Sequence, residues 1–193
     1  MDQVIPLVTQ FFRAKYTAMP EPAHYYYIAE GQQMETGCRD QNGKAGIADS
    51  TAYEYCPADY NIYLGQARLW QFYNDDGDAA PVVGLAHEWG HNVQARMGVQ
   101  ASGQTEVIRQ ENQADCIAGA WIQYANEQKW IEPEDVGSIA KLIRDIADAE
   151  ADPARGHGTI AERGRSLSMG VTGGLAACNA FFPETPIYPT SGS

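Results

Sequence analysis

The segment "GLAHEWGHNVQ", residues 84–94, holds two of the chain's four histidines, with a glutamate between them. On a helix, His87 and His91 share one face one turn apart, so they could bind one metal ion together. Glu88 lies about 100° further around the helix, close enough to reach a water molecule on that ion. This H-E-x-x-H pattern is typical of zinc hydrolases, in which the glutamate acts as general base. The alternative is a pair of core histidines bonded to the backbone.

The residues around this motif predict a helix over 81–97 that is buried on one side. One stripe is apolar and consists of Val82, Ala86, Trp89, Val93 and Met97. The histidines face away from that stripe, and only Glu88 and Arg96 carry charge. Because a solvated helix face would carry more charges, we expect the histidines to line a cleft.

A catalytic zinc ion needs a third protein ligand and an open position. The candidates are Glu106, Glu111 and Asp115 in "TEVIRQENQADCIAGAW". Glu111 and Asp115 fall one turn apart within an apolar stripe of the predicted helix, whereas Glu106 lies off it. A carboxylate buried there is unfavourable unless a charge compensates it, which predicts Glu111 as the ligand. Asp115 would then accept a hydrogen bond from a ligand histidine. The alternative is a Glu/Asp pair on the surface.

Few strands early in the chain and helices later predict an α+β fold. Helices are predicted over 2–17, 66–75, 81–97, 104–130, 133–149 and 159–170, the last with a Thr159/Glu162 capping box and a stop at Gly170. Strands are predicted over 24–30 and 60–65, with a Gly-rich loop over 36–50 and another loop over 151–158. We expect one domain over 1–183 and a flexible tail over 184–193.

The formal net charge of -12 argues against nucleic acid or an anionic membrane as a partner. No apolar run approaches the roughly 20 residues of a membrane-spanning helix, and the first residues lack the features of a signal peptide. Four cysteines allow three full pairings, and none forms a C-x-x-C zinc motif. They could be free thiols or two disulfides, and disulfides would place the protein outside the cytosol.

Four ordered segments resemble one bacterial family. They are "CPADYNIYLG", "HEWGH", "ENQADCIAGAW" and "HGTIAERG", and the resemblance covers residues 38–178. The family is that of the putative neutral zinc metallopeptidases. The resemblance implies a zincin-like fold, with a small N-terminal β-sheet and its edge strand over a mostly helical C-terminal part. It also implies one catalytic Zn²⁺ bound by His87, His91 and Glu111. The setting would be extracytoplasmic, with the membrane reached only through an N-terminal anchor that this chain does not show.

Further roles come from the same resemblance. In zincin folds an edge strand pairs with extended substrate, and residues 61–64 would be that strand unless they form an ordinary core strand. The cysteines would pair as Cys38–Cys56 and Cys116–Cys178. Related membrane-linked peptidases carry a later histidine and arginine six residues apart, as His157 and Arg163 are here.

His157, together with Arg163, would therefore donate to the oxyanion that forms during hydrolysis. The alternatives are a loop histidine that caps a turn and an arginine in a surface salt bridge.

The leading hypothesis is a zinc endopeptidase or related amide hydrolase acting on a peptide or protein substrate. Zinc would lower the pKa of a water molecule, and Glu88 would take its proton. A second hypothesis is a catalytically inactive zinc-binding domain that binds a peptide or protein partner, although a purely structural zinc site has no need of Glu88. A third is a structural protein without metal, which leaves the buried Glu111 and Asp115 unexplained.

Overall fold

A computed structural model describes residues 3–40, 42–150 and 156–189 of the 193-residue chain. The described residues form a mixed α+β fold. Its helices are α1 (Val4–Lys15), α2 (Gln66–Gln71), α3 (Ala79–Met97), α4 (Gln104–Glu127), α5 (Pro133–Asp145) and α6 (Ile160–Ala177). Its strands are β1 (Tyr25–Ile28), β2 (Gln33–Arg39), β3 (Ala45–Asp49), β4 (Tyr53–Cys56) and β5 (Asn61–Gly65). A π-helical turn, Phe72–Asp76, follows α2, and a 3₁₀ turn, Cys178–Phe181, follows α6.

The main sheet has the strand order β1–β5–β4. β5 pairs in parallel with β1 on one side and antiparallel with β4 on the other. The expectation that residues 61–64 form an edge strand is therefore wrong, and the alternative of a core strand is correct, since every residue of β5 is buried. β4 is an edge strand of this sheet, on the side of β5 opposite β1, and it packs beside α3.

The predicted loop over 36–50 is also wrong, because β2 and β3 form an antiparallel hairpin there. Gly37 and Gly46 lie inside these strands, and glycine is disfavoured in strand interiors, which is why composition suggested a loop. Gly46 has a packing reason, since a Cβ atom there would lie 2.8 Å from Thr36 Oγ1. A disulfide between Cys38 and Cys56 ties this hairpin to β4.

The predicted helices are present, with shifted ends. α3 begins two residues before Pro81 and ends as predicted at Gly98, whose φ of 78° suits a glycine C-cap. The capping box between Thr159 and Glu162 begins α6. The predicted stop at Gly170 is wrong, because α6 continues to Ala177 with a kink at Gly174. Gly170 serves packing instead, since a Cβ atom there would overlap the backbone of α4 at Cys116.

Residues 184–189, at the start of the predicted tail, include side chains and backbone groups that pack against the rest of the fold. Ile187 is fully buried. The side-chain oxygen of Asn179 accepts hydrogen bonds from the backbone N–H groups of Ile187 and Tyr188. Residue 2 of the first predicted helix, residue 41 of the predicted Gly-rich loop, residues 151–155 of the second predicted loop and residues 190–193 of the tail lie outside the described residues.

The core lies between α1, α3 and α4, and it fixes the orientation of α3. Phe12 of α1 stacks on Trp89 of α3, with ring centroids 4.5 Å apart. A disulfide between Cys116 and Cys178 joins α4 to the turn after α6. The apolar stripe of α3 therefore faces the core, which directs the histidines of the same helix toward α4. Within the part of the chain that the structure describes, no helix is both long and apolar enough to cross a membrane.

Candidate metal centre

Three side chains from α3 and α4 converge on one point. His87 Nε2 and His91 Nε2 are 3.1 Å apart. The carboxylate of Glu111 closes the triangle, with Oε2 3.4 Å from His87 Nε2 and Oε1 3.2 Å from His91 Nε2. A tetrahedral ion with bonds of about 2.0–2.1 Å separates its ligand atoms by about 3.3 Å. The two imidazole nitrogens and the carboxylate oxygens thus lie at the spacing that such an ion requires.

The hydrogen bonds of the two histidines determine which ring nitrogen carries the proton. His87 Nδ1 lies 2.9 Å from Asp115 Oδ1, and His91 Nδ1 lies 2.8 Å from Gln94 Oε1. Both partners are acceptors, so each Nδ1 must donate and each neutral Nε2 carries a lone pair. In neutral rings two lone pairs would face each other across 3.1 Å, and either a proton or a metal cation between them removes that repulsion. The donor set therefore fits a divalent cation, and two imidazoles with one carboxylate suit zinc.

The charges around the ligands favour positive charge at this point. Burial lowers the pKa of His87, but the carboxylates of Asp115 and Glu111 raise it to about 10. Burial also acts against protonation of His91, and Glu111 outweighs it, so its pKa is raised. Burial raises the pKa of Glu111, but the two imidazoles hold it well below its ordinary value. Among the described residues, His87, His91 and Glu111 form the single cluster with the spacing of a metal site.

Glu88 lies next to this cluster and is held by the sheet. Its side chain is buried, and Oε2 accepts a hydrogen bond of 2.7 Å from the backbone N–H of Tyr55 in β4. Burial raises the pKa of this carboxyl. A carboxylate with a raised pKa accepts a proton more readily near neutral pH, so the geometry suits Glu88 as a general base.

Asp115 makes the contact that the sequence predicts, and it brings Arg163 into the same network. Arg163 donates from Nε to Asp115 Oδ2 (2.9 Å), from Nη2 to Asp115 Oδ1 (2.8 Å) and from Nη1 to the backbone oxygen of Ile146 (3.1 Å). Because Arg163 is only 2% exposed, the alternative of a surface salt bridge is wrong. Arg163 orients Asp115, which orients His87. Its contact with an oxyanion stays a prediction.

His157 and Glu106 lie outside the cluster. His157 lines the same cavity as the ligands, but its side chain is exposed and its backbone N–H donates to Asp148 Oδ2 at 2.6 Å. Its role as an oxyanion donor stays a prediction. Glu106 accepts hydrogen bonds from Ser102 at the start of α4. Glu111 rather than Glu106 therefore joins the histidines, as the stripe on α4 predicted.

A cavity of about 620 Å³ contains the cluster. The loop and strand residues from Thr51 to Tyr55 form one wall, and α5 contributes Leu142, Ile143 and Asp145 to another. The edge strand β4 thus borders the cavity directly beside Glu88. An edge strand thus lines the cavity, but it is β4 and not the predicted segment 61–64.

Sequence reasoning missed two groups that hold the site, Gln94 and the backbone of Tyr55. Gln94 follows His91 by three residues on the same helix face, and this spacing was a signal that could have found it. The N–H of Tyr55 gave no signal, because a backbone donor leaves no mark in the residue types.

Comparisons with known proteins place these residues in a family. A family model described as "Putative neutral zinc metallopeptidase" matches residues 32–181. An uncharacterized protein of Mycobacterium bovis is 29% identical over 180 residues, covering 77% of this chain and 59% of that protein. The uncharacterized protein YpfJ of Escherichia coli K12 is 32% identical over 156 residues, covering 66% of this chain and 53% of YpfJ.

The chain thus spans between 53% and 59% of the length of these curated relatives. No solved structure matches it significantly. The family model covers most of the chain, including the two histidines, the three acidic residues and the arginine of the metal centre. The chain therefore belongs to the family of putative neutral zinc metallopeptidases.

Proposed function

We propose that this chain is a zinc-dependent endopeptidase of extracytoplasmic location. The observation that carries the proposal is the triangle of His87, His91 and Glu111 with Glu88 beside it, open to a cavity bordered by a strand edge. A structural zinc site usually closes with a fourth protein ligand. Here the described residues offer three candidate ligands and, in Glu88, a carboxylate outside that set, which favours catalysis over a structural role.

The chain's own groups support a hydrolytic mechanism. When bound, zinc supplies positive charge that acidifies a water molecule and polarises a substrate carbonyl. Glu88 accepts a proton from the attacking water as the new C–O bond forms. It returns this proton to the amine nitrogen as the C–N bond breaks. The N–H of Tyr55 binds one oxygen of Glu88, so the other oxygen remains available for proton transfer.

The substrate would bind as an extended peptide along β4. An edge strand offers unpaired backbone groups that can add a further strand, and β4 borders the cavity with Tyr53, Glu54 and Tyr55. A zincin-like arrangement of edge strand, metal and general base is thereby supported. The volume of about 620 Å³ is in the range of sites that enclose a drug-sized ligand.

The disulfides support the proposed location. Cys38–Cys56 and Cys116–Cys178 account for all four cysteines of the chain. Disulfides of this kind persist in the periplasm and other oxidising compartments.

The test compares wild type with Glu88→Gln. We expect wild type to bind one zinc ion and to hydrolyse unfolded protein or peptide substrates. Glu88→Gln should keep the zinc, because residue 88 is not a ligand, and should lose about 10²–10⁴-fold in kcat. Zinc content is measured by atomic absorption, and cleavage is measured by mass spectrometry. Glu106→Gln is the matched control on α4 and should retain wild-type kcat.

Two results would contradict the proposal. Zinc-loaded wild type that cleaves nothing in a diverse peptide library would favour a domain that binds zinc and a partner without catalysis. Equal kcat for wild type and Glu88→Gln would remove Glu88 from the mechanism.

A further inference from the structure

Gln94 is a fully buried amide that touches one of the two histidine ligands. Its Oε1 atom lies 2.8 Å from His91 Nδ1. The corresponding hydrogen-bond acceptor for His87 is Asp115, which is charged and paired with Arg163. The two imidazoles are therefore supported by different chemistry, a neutral amide for His91 and an ion pair for His87.

The orientation of the Gln94 amide is fixed by its neighbours. Its Nε2 donates to the backbone oxygen of Gln110 at 2.7 Å and to Gln113 Oε1 at 3.1 Å. Gln113 in turn donates from Nε2 to the backbone oxygen of Cys178 at 3.0 Å. The side-chain nitrogens of Gln94 and Gln113 each point at a backbone oxygen, which can only accept. The side-chain oxygen of Gln94 must therefore face His91.

This chain of hydrogen bonds is anchored at both ends. Gln113 and Cys116 both lie on α4, and Cys116 is joined to Cys178 by a disulfide. The carbonyl that receives the last hydrogen bond therefore cannot move away from α4 without breaking a covalent bond. The disulfide, Gln113 and Gln94 form a continuous path to the imidazole of His91.

We propose that Gln94 is a positioning residue of the metal centre, which holds His91 with Nδ1 protonated and Nε2 directed at the metal. This inference rests on the metal-binding part of the proposed function. An acceptor on the distal nitrogen of a ligand histidine fixes its tautomer and ring orientation. Because the Gln94 amide is neutral, it does this without adding a second negative charge beside Glu111.

Zinc affinity of two variants separates this role from a purely structural one. Gln94→Met is close in size and removes the acceptor, and we expect it to lose about 10–100-fold in zinc affinity. Gln94→Glu keeps an acceptor and should bind zinc at least as tightly as wild type. Both variants lose the hydrogen bonds donated by Nε2, so both should unfold at lower temperature. Affinity is measured by competition with a chromophoric chelator.

The matched control is Asn92→Leu. Asn92 is a fully buried amide on the same helix whose side-chain nitrogen donates to the backbone oxygen of Pro20 rather than to the metal centre. The Asn92→Leu variant should be less stable than wild type and should keep the zinc affinity of wild type. If Gln94→Met binds zinc as wild type does, or if affinity follows stability in all three variants, the inference is overturned. A wild type that takes up no zinc would instead overturn the proposed function.

A measurement on the wild type does not depend on the variants folding. In zinc-loaded protein with ¹⁵N-labelled histidine, His91 should show an Nδ1–H that is hydrogen-bonded and protected from exchange with water. The chain has four histidines, so the resonances can be assigned with His24 and His157 variants. Coordination of zinc through His91 Nδ1, or an Nδ1–H that exchanges freely, would overturn the inference.

Discussion

Arg163 and Asp115 are charged residues that are almost completely removed from water. Their attraction and two hydrogen bonds compensate for the lost hydration. A buried ion pair of this kind contributes little net stability, but removal of one partner leaves an uncompensated charge. The pair therefore constrains the site strongly, because neither residue can change alone and His87 is held through Asp115.

Replacement of Arg163 by methionine should lower the free energy of unfolding by about 3–5 kcal/mol, because the Asp115 carboxylate remains buried without its guanidinium. Urea denaturation with the disulfides intact measures this loss. Arg165→Met, at an exposed position two residues later on α6, should change it by less than about 0.5 kcal/mol. Similar losses for both variants would contradict the buried ion pair.

The loss of unfolding free energy caused by Arg163→Met should become smaller as pH falls. Burial raises the pKa of Asp115, but Arg163 and His87 hold it below its ordinary value of 3.8. The stability from this carboxylate is therefore fully present above the unfolded-state pKa and is lost as pH falls through the folded-state pKa. The difference between wild type and Arg163→Met should shrink below about pH 3.8. A difference that stays constant across that range, measured by the same denaturation at several pH values, would contradict this assignment.

The side chains that meet at the candidate site could be predicted from sequence because helix geometry fixes which side chains share a face. His87, His91, Glu111 and Asp115 each follow from spacing within a single helix, so no knowledge of the rest of the fold is needed. Gln94 obeys the same spacing but is an amide, a residue type that seldom signals a metal site. The N–H of Tyr55 depends on how β4 packs against α3 and could not be predicted from either segment alone.

At the level of elements, α4 and α6 approach so closely that their backbones nearly touch. A Cβ atom at Gly170 would overlap the carbonyl oxygen of Cys116, and one at Gly119 would overlap the carbonyl oxygen of Leu167. Glycines on both helices permit this contact, which brings Arg163 of α6 to Asp115 of α4. Gly170 was predicted as a helix stop because a glycine at a helix contact and one at a helix end look alike in a single sequence.

Gly170→Ala should therefore lower the free energy of unfolding by about 3 kcal/mol or more, since backbone atoms on both helices block the added methyl group. Gly164→Ala is the control on the same helix, where nothing lies within 4 Å of the added atom. It should raise stability by about 0.5–1 kcal/mol, as alanine favours helix more than glycine does. Thermal denaturation measures the change in stability of both variants. Equal changes for the two variants would show that the close contact does not form.

The strand order could not be predicted because strand composition does not distinguish a central strand from an edge strand. "YNIYLG" is apolar enough for either position, and the pairing that decides between them involves β1, more than 30 residues earlier. The β2–β3 hairpin escaped prediction for a related reason, since its glycines are accommodated by long-range contacts such as that between Gly37 N–H and Asp59.

For the whole molecule, the net charge of -12 has a consequence for the proposed peptidase. Besides the residues of the candidate metal centre, the cavity is lined by the acidic residues Asp49, Glu54 and Asp145 and by the basic residue Arg68. A surface and cleft of one sign attract ligands of the opposite sign. If the chain is a peptidase, it should favour substrates rich in lysine or arginine over acidic ones.

We expect kcat/KM to be higher for a lysine-containing peptide than for a matched glutamate-containing one. The ratio should narrow with added salt, because the Debye length falls from about 30 Å at 0.01 M to about 8 Å at 0.15 M ionic strength. A fluorogenic peptide pair that differs only in the flanking charges measures this. Preference for the acidic peptide, or a ratio insensitive to salt, would contradict the electrostatic account.

The hydrogen bond from Tyr55 to Glu88 is donated by the main chain. Its presence therefore depends little on which side chain occupies position 55. Any residue except proline supplies the same N–H, so alanine scanning along β4 would register nothing at this bond. Evolution could exchange the tyrosine for other side chains while the proton acceptor keeps its anchor. A proline at position 55 is the one single-residue exchange there that deletes the donor itself.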